Sequence, residues 1–113
     1  MKLPEDNEDY RNSAILAFLF AQETSWKALK WVLKDKIAIE ATGPKPVLQE
    51  AFSQKWLGSG DAVWFDMAED RNLVAHTYSS EQAKEIYQRV KEYVKALRQM
   101  YNLLIEKYPD LQH

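Results

Sequence analysis

The chain contains no cysteine, which excludes a disulfide framework, a thiolate metal site and a cysteine nucleophile, and is compatible with a reducing cytoplasm. Histidine is scarce too: besides the terminal His113 there is only His76, too few for a histidine-based metal site. Three glycines and four prolines leave few turns and favour long helices. No apolar run approaches the roughly 18 residues of a membrane span, and the acidic opening, residues 1–9, lacks the basic start of a signal peptide. With a formal charge of -2 no global field draws nucleic acid; DNA is not expected, and any RNA contact would have to be local. Glycine-rich phosphate loops, paired carboxylates at a catalytic spacing and serine nucleophile motifs are missing as well. These gaps point to a cytoplasmic protein with no metal and no cofactor.

What is present reads as one helical domain. At 113 residues, 46% hydrophobic and 28% charged, the chain is long enough for one core and too apolar for disorder. Residues 1–8 are polar and expected to fray. From Asp9 or Asn12 to about Lys36, Ile15, Leu19, Gln22, Trp26, Leu29 and Leu33 recur at helical steps, widened by Phe18 and Val32. Gln22 is the polar exception, either satisfying a buried neighbour such as Arg71 or standing in solvent. Lys27, Lys30 and Lys34 read as a solvated face. Residues 43–46 form a turn whose second proline suits a first helical position, and a short helix over residues 47–57 would bury Leu48, Ala51, Phe52 and Trp56. Gly58 suits a left-handed cap, and Asp61 an N-cap for a helix over residues 61–78. Ser79 with Gln82 is a capping box for the last helix. There Ala83, Tyr87, Val90, Val94, Leu97, Tyr101, Leu104 and Tyr108 form an unbroken stripe, with Ile86, Tyr93 and Met100 as a flanking row and Pro109 as the stop. The expected fold is all-α: an up-and-down antiparallel bundle of four helices, two of them long, with a stripe able to serve a core and a partner helix.

The third helix carries the chemistry. Trp64, Met67, Ala68, Val74, Ala75 and Tyr78 fall on one face with Arg71 at its centre, and a guanidinium cannot be neutralised there. It must pair with an acid, for which Asp66, Glu69 and Asp70 are at hand, or open onto an interface or an anionic ligand. Asn72 and His76 are neighbours on the adjoining face. An imidazole can move the protons and a guanidinium hold the phosphate in metal-free cleavage of RNA, whose own 2′-hydroxyl is the nucleophile. One His per chain serves poorly as both acid and base, so a twofold dimer would complete such a site. The plain alternative is a salt-bridged Arg71 and a His76 bonded near a helix end. Trp26 and Trp64 fit core packing better than base stacking.

The run from Glu69 to Tyr78, an arginine, a polar residue, then a histidine with a tyrosine two beyond, resembles the signature of the HEPN superfamily. Further blocks agree: Phe20 with Glu23-Thr24-Ser25-Trp26-Lys27, Pro44 with Val47-Leu48-Gln49-Glu50-Ala51-Phe52, and Trp64 with Asp66-Met67-Ala68. Together, over residues 9–101, they are similar to the nucleotidyltransferase substrate-binding proteins. The resemblance implies a HEPN-like helical homodimer that works with a minimal nucleotidyltransferase. In a toxin and antitoxin pair it would be a metal-independent endoribonuclease, with Arg71, His76 and Asn72 catalytic, Glu23 and Asp70 supporting, and Tyr78 accepting AMP from the transferase that silences it. The alternative it implies is a non-catalytic subunit that binds substrate or nucleotide for the transferase. Where family members carry a further helix before the Phe20 block, only a short acidic lead is expected here, and Leu19 stands at a position that is often acidic.

Overall fold

The computed structural model describes residues 7–58, 61–76 and 78–111, with only the backbone described at Asp61. The expectations for residues 1–6, Ser59, Gly60, Thr77, His113 and the Asp61 cap lie outside the described residues.

All regular structure among the described residues is helical: α1 (Glu8–Ile37), α2 (Pro44–Ser53), α3 (Asp61–Val74) and α4 (Ser80–Lys107), followed by one 3-10 turn (Pro109–Leu111). Asn7 starts α1 by accepting the Tyr10 N–H at 3.0 Å, and Glu8 and Asp9 suit the positive end of the helix dipole. The helix runs unbroken through the segment ahead of Phe20. The expected short lead is therefore about three further helical turns. α1 closes on Ala38 in the left-handed region, with Ile39 N–H returning to the Leu33 carbonyl at 3.0 Å.

α2 begins at Pro44, not after Pro46, because the first proline already occupies the position where no N–H is needed. It ends at Ser53, earlier than expected, and Trp56 and Leu57 are buried in the turn that follows. Phe52, expected in the core, is 49% exposed. Gly58 has φ +77°, but it does not cap α2 as expected: the left-handed residue that closes the helix is Lys55, φ +62°, after which Trp56 N–H returns to the Ala51 carbonyl at 3.0 Å. α3 also stops short of the expected residue 78: Ala75 N–H still makes a helical bond to the Arg71 carbonyl, and the ladder then tightens, His76 N–H returning to Leu73 at 3.1 Å. Both halves of the capping box form, Gln82 N–H to Ser79 Oγ at 3.1 Å and Ser79 N–H to Gln82 Oε1 at 2.8 Å.

The direction of the two long helices differs from expectation. Tyr10 meets Tyr87, Phe18 meets Tyr93 and Lys36 meets Asp110, so partners advance together and α1 runs parallel to α4. α3 is antiparallel to both: Arg71 pairs with Glu23, while Val74 packs with Ile15, Ala83 and Ile86. Length explains this. At 1.5 Å per residue, α1 is about 45 Å long, whereas α2 and α3 are about 15 and 21 Å, so the chain needs both short helices for one return stroke.

The core is formed by Phe18, Leu29, Leu33, Val47, Met67 and Tyr93 with their neighbours. On α4 the inward row is Ile86, Tyr93 and Met100, the one expected to flank; Val94 and Tyr101 of the main stripe are exposed. The rest of the heptad stripe stays with the core: Ala83 and Leu104 are buried, and Val90, Leu97 and Tyr108 pack at its margin. Lys27, Lys30 and Lys34 are exposed as expected, Trp64 is buried and Trp26 half-buried. No helix among the described residues is long and apolar enough to cross a membrane.

Candidate functional site

Arg71 lies in the last turn of α3 and reaches across to α1, where its Nε donates to Glu23 Oε1 at 2.6 Å. Trp26 Nε1, one turn further along α1, donates to the other carboxylate oxygen at 3.1 Å. Partial burial pushes the Glu23 carboxyl up, but the hydrogen bonds from Arg71 and Trp26 outweigh it and hold its pKa below the ordinary value. Glu23, a partner implied by resemblance, is thus the acid that the central cation required.

The acids on the same helix do not pair with Arg71. Asp70, 5% exposed, turns to α4 and accepts two bonds from Arg89, Nε and Nη2 each at 2.8 Å, and a third from the Tyr93 hydroxyl. One residue along a helix is a rotation of about 100°. Arg71 and Asp70 therefore face different neighbours. Burial, and the bond to Asp70, hold the Tyr93 phenol well above its usual pKa, and the same carboxylate raises that of Arg89. Asp66 and Glu69 line a small hollow beside this network.

Between α1, α2 and α3 lies a cleft of about 650 Å³. Leu48 and Phe52 of α2 and Trp64, Phe65 and Ala68 of α3 give it apolar walls; Gln22, Lys45, Arg71 and Asn72 give it polar ones. Glu23 takes Nε of Arg71 and Asn72 Oδ1 makes only a long 3.4 Å contact with Nη1, leaving guanidinium donors for a ligand. Gln22, 3% exposed, neither bonds Arg71 nor reaches solvent: its Oε1 is buried with no hydrogen-bond partner, and so is Trp64 Nε1.

His76 and Tyr78 are elsewhere. With α3 ending at Val74, His76 sits exposed in the following turn and does not line the cleft. Tyr78 is half-buried against Ile15, Ala83 and Ile86. Within one chain, then, Arg71 and Asn72 share a site that His76 and Tyr78 do not enter. The sequence signal for Gln22 was its polarity on an apolar stripe; for Phe52 and Phe65 as cleft walls there was none.

The nucleotidyltransferase substrate binding protein like family model matches residues 2–106. The chain belongs to that family. A crystal structure of a protein from Thermus thermophilus is similar to this member at 31% identity and a TM-score of 0.80, over 87% of this chain and 83% of that one. No curated protein matches the chain. All four stretches that carried the resemblance, from Phe20 to Tyr78, fall inside the span of the nucleotidyltransferase substrate-binding family.

Proposed function

We propose that this protein is a non-catalytic binding subunit: it pairs with a minimal nucleotidyltransferase and holds, in the cleft between α1, α2 and α3, the molecule to be modified. The observation that carries the reading is the division of the motif. Arg71 and Asn72 line a cleft of ligand size, while His76 stands outside it. A cation already fixed by Glu23 is suited to orienting a ligand, and it has no imidazole beside it to move protons. Self-association also fits. Phe20 lies one turn from Glu23, Phe65 two turns from Asn72, and they are 75% and 65% exposed, an apolar margin that a second copy would cover.

The test is to co-express the chain with the nucleotidyltransferase of its own genome, isolate the complex, and weigh the chain after incubation with ATP. The reading predicts a stable complex and an unmodified chain. A chain carrying AMP would contradict it.

A second reading is favoured by the Arg-Asn-…-His-…-Tyr spacing and by the exposure of His76: an endoribonuclease toxin. A twofold dimer would set His76 of one chain beside Arg71 of the other, with Asn72 orienting the phosphate. The 2′-oxygen would then attack phosphorus, its proton passing to one His76, while the other protonates the leaving 5′-oxygen. In this reading Tyr78 is the switch. Its phenol oxygen bonds the α-phosphorus of ATP, pyrophosphate leaves, and the phenol proton passes to solvent. Appearance of AMP on Tyr78 in the same mass measurement would select it.

A further inference from the structure

The outer side of α4 carries two rows of side chains that the bundle does not use for its core. Tyr87, Val94 and Tyr101 stand seven residues apart in one row, and Lys84, Lys91 and Arg98 repeat that spacing in a row beside it. Seven residues bring a helix back to within about 20° of its starting direction, so each row runs nearly straight for about 21 Å. Val94 and Tyr101 are 39% and 55% exposed, and all three cations are exposed. Tyr87, half-buried, meets Tyr10 edge-on where the surface borders α1.

Charge decides what can cover this surface. Lys91 and Arg98 make no ion pair among the described residues, and Lys84 has only an exposed contact of 3.8 Å with Glu81. The acids of the same stretch, Glu85 and Glu92, lie about a third of a turn away. The row is thus a local positive edge on a chain whose formal charge is -2. A second copy packed here about a twofold axis would set that edge against its own image, which like charges oppose. RNA would satisfy the cations, but it gives Val94 nothing to pack on and meets Glu85 and Glu92 beyond them. A helix of another protein meets both rows at once. Its apolar residues, at the same seven-residue spacing, seat on Tyr87, Val94 and Tyr101, and acids flanking them pair with Lys84, Lys91 and Arg98.

None of these residues lines the cleft, and the apolar margin of Phe20 and Phe65 belongs to α1 and α3. A partner on α4 therefore leaves the cleft open and the margin free for self-association. We propose that the outer face of α4 is the surface that docks the nucleotidyltransferase, which presents an acidic amphipathic helix to it. This rests on the binding-subunit reading and adds to it the docking surface and the chemistry of the partner's side.

The test titrates the full chain against the transferase of its own genome by calorimetry and weighs the complexes by light scattering. Lys91→Glu with Arg98→Glu is expected to weaken the complex about thirtyfold, and Lys91→Gln with Arg98→Gln by clearly less. Val94→Asp, which puts a charge in the apolar row, should weaken it about tenfold. Lys30→Glu with Lys34→Glu, the same charge change on the solvated face of α1, should alter it by less than about twofold. Added salt should weaken the parent complex and leave that of the Lys91→Glu, Arg98→Glu variant nearly unchanged. Every variant is checked for fold by circular dichroism, and self-association without the transferase should match the parent. The proposal is overturned if the variant with both glutamates binds the transferase as the parent does, or if it loses self-association instead, which would place a second copy on this face. It is also overturned if a short single-stranded RNA binds the parent, is lost in that variant and is not displaced by the transferase. A parent that forms no complex removes the subunit reading as well, whereas a complex that survives the charge reversal removes this inference alone.

Discussion

Arg71 on α3 and Glu23 on α1 are joined by a 2.6 Å hydrogen bond between Nε and Oε1, the single ion pair among the described residues that ties these two helices. The pair sits at the edge of the cleft, its side chains about one third and one quarter exposed, so it belongs half to the fold and half to the site.

Glu23→Gln tests the structural half. After discounting for solvent screening, its loss should cost about 1 kcal/mol, or roughly 4 °C in melting temperature for a chain of this size. The pH dependence follows from linkage. The folded pKa of Glu23 lies below its ordinary 4.5, so its contribution is present above that value and lost as pH falls through the folded one. Melting curves of parent and variant should differ at pH 7 and converge in acid.

Asp70→Asn should be more damaging, by about 2 kcal/mol, as a buried carboxylate holding Arg89 and Tyr93 is lost. The figure sits below the usual range for a buried pair because the Arg89 side chain is 40% exposed and can turn to water. Arg89→Met should cost more than Asp70→Asn, since it strands the buried charge. Urea denaturation of both variants checks the order.

Gly58→Ala meets two obstacles. The position has φ +77°, and a Cβ there would lie 2.8 Å from Leu103 Cδ1 and from Gln99 Cγ on α4. A cost of about 2 kcal/mol is expected, read as a lower urea midpoint with an unchanged slope.

Ser79→Ala removes one half of the capping box on α4 and should cost about 1 kcal/mol. Amide exchange should quicken first at Gln82 and Ala83.

Much of this was legible in the sequence, and the failures have physical causes. Helical periodicity identified α1 and α4, and local chemistry marked the start at Ser79 and the stop before Pro109, while the stop expected at Gly58 came earlier, at Ser53 with Lys55 in the left-handed region. Periodicity reports which residues share a face, though, not which face wins or which way a helix points. So Ile86, Tyr93 and Met100 took the centre of the buried face, the longer stripe kept Ala83 and Leu104 inside and Val90, Leu97 and Tyr108 at its margin while exposing Val94 and Tyr101, and α1 and α4 proved parallel. The end of α3 was hidden for another reason. Ala75, His76 and Tyr78 all tolerate a helix, so nothing local announced that α3 would end at Val74, ahead of α4 at Ser80. Arg71 announced itself as a cation in an apolar stripe, and resemblance supplied Glu23. Nothing local could have predicted that Gln22 would be buried unpaired, because that depends on α2 and α3 closing around it.

The measurement that bears most directly on the central claim, that Arg71 serves a binding cleft and not a nuclease centre, is cleavage of RNA. The purified, unmodified chain and its His76→Ala variant would be compared without divalent metal, with dimer content matched. The account predicts no cleavage above background by either protein. Cleavage by the parent that disappears in His76→Ala would contradict it, and would place the two halves of the motif in one composite site.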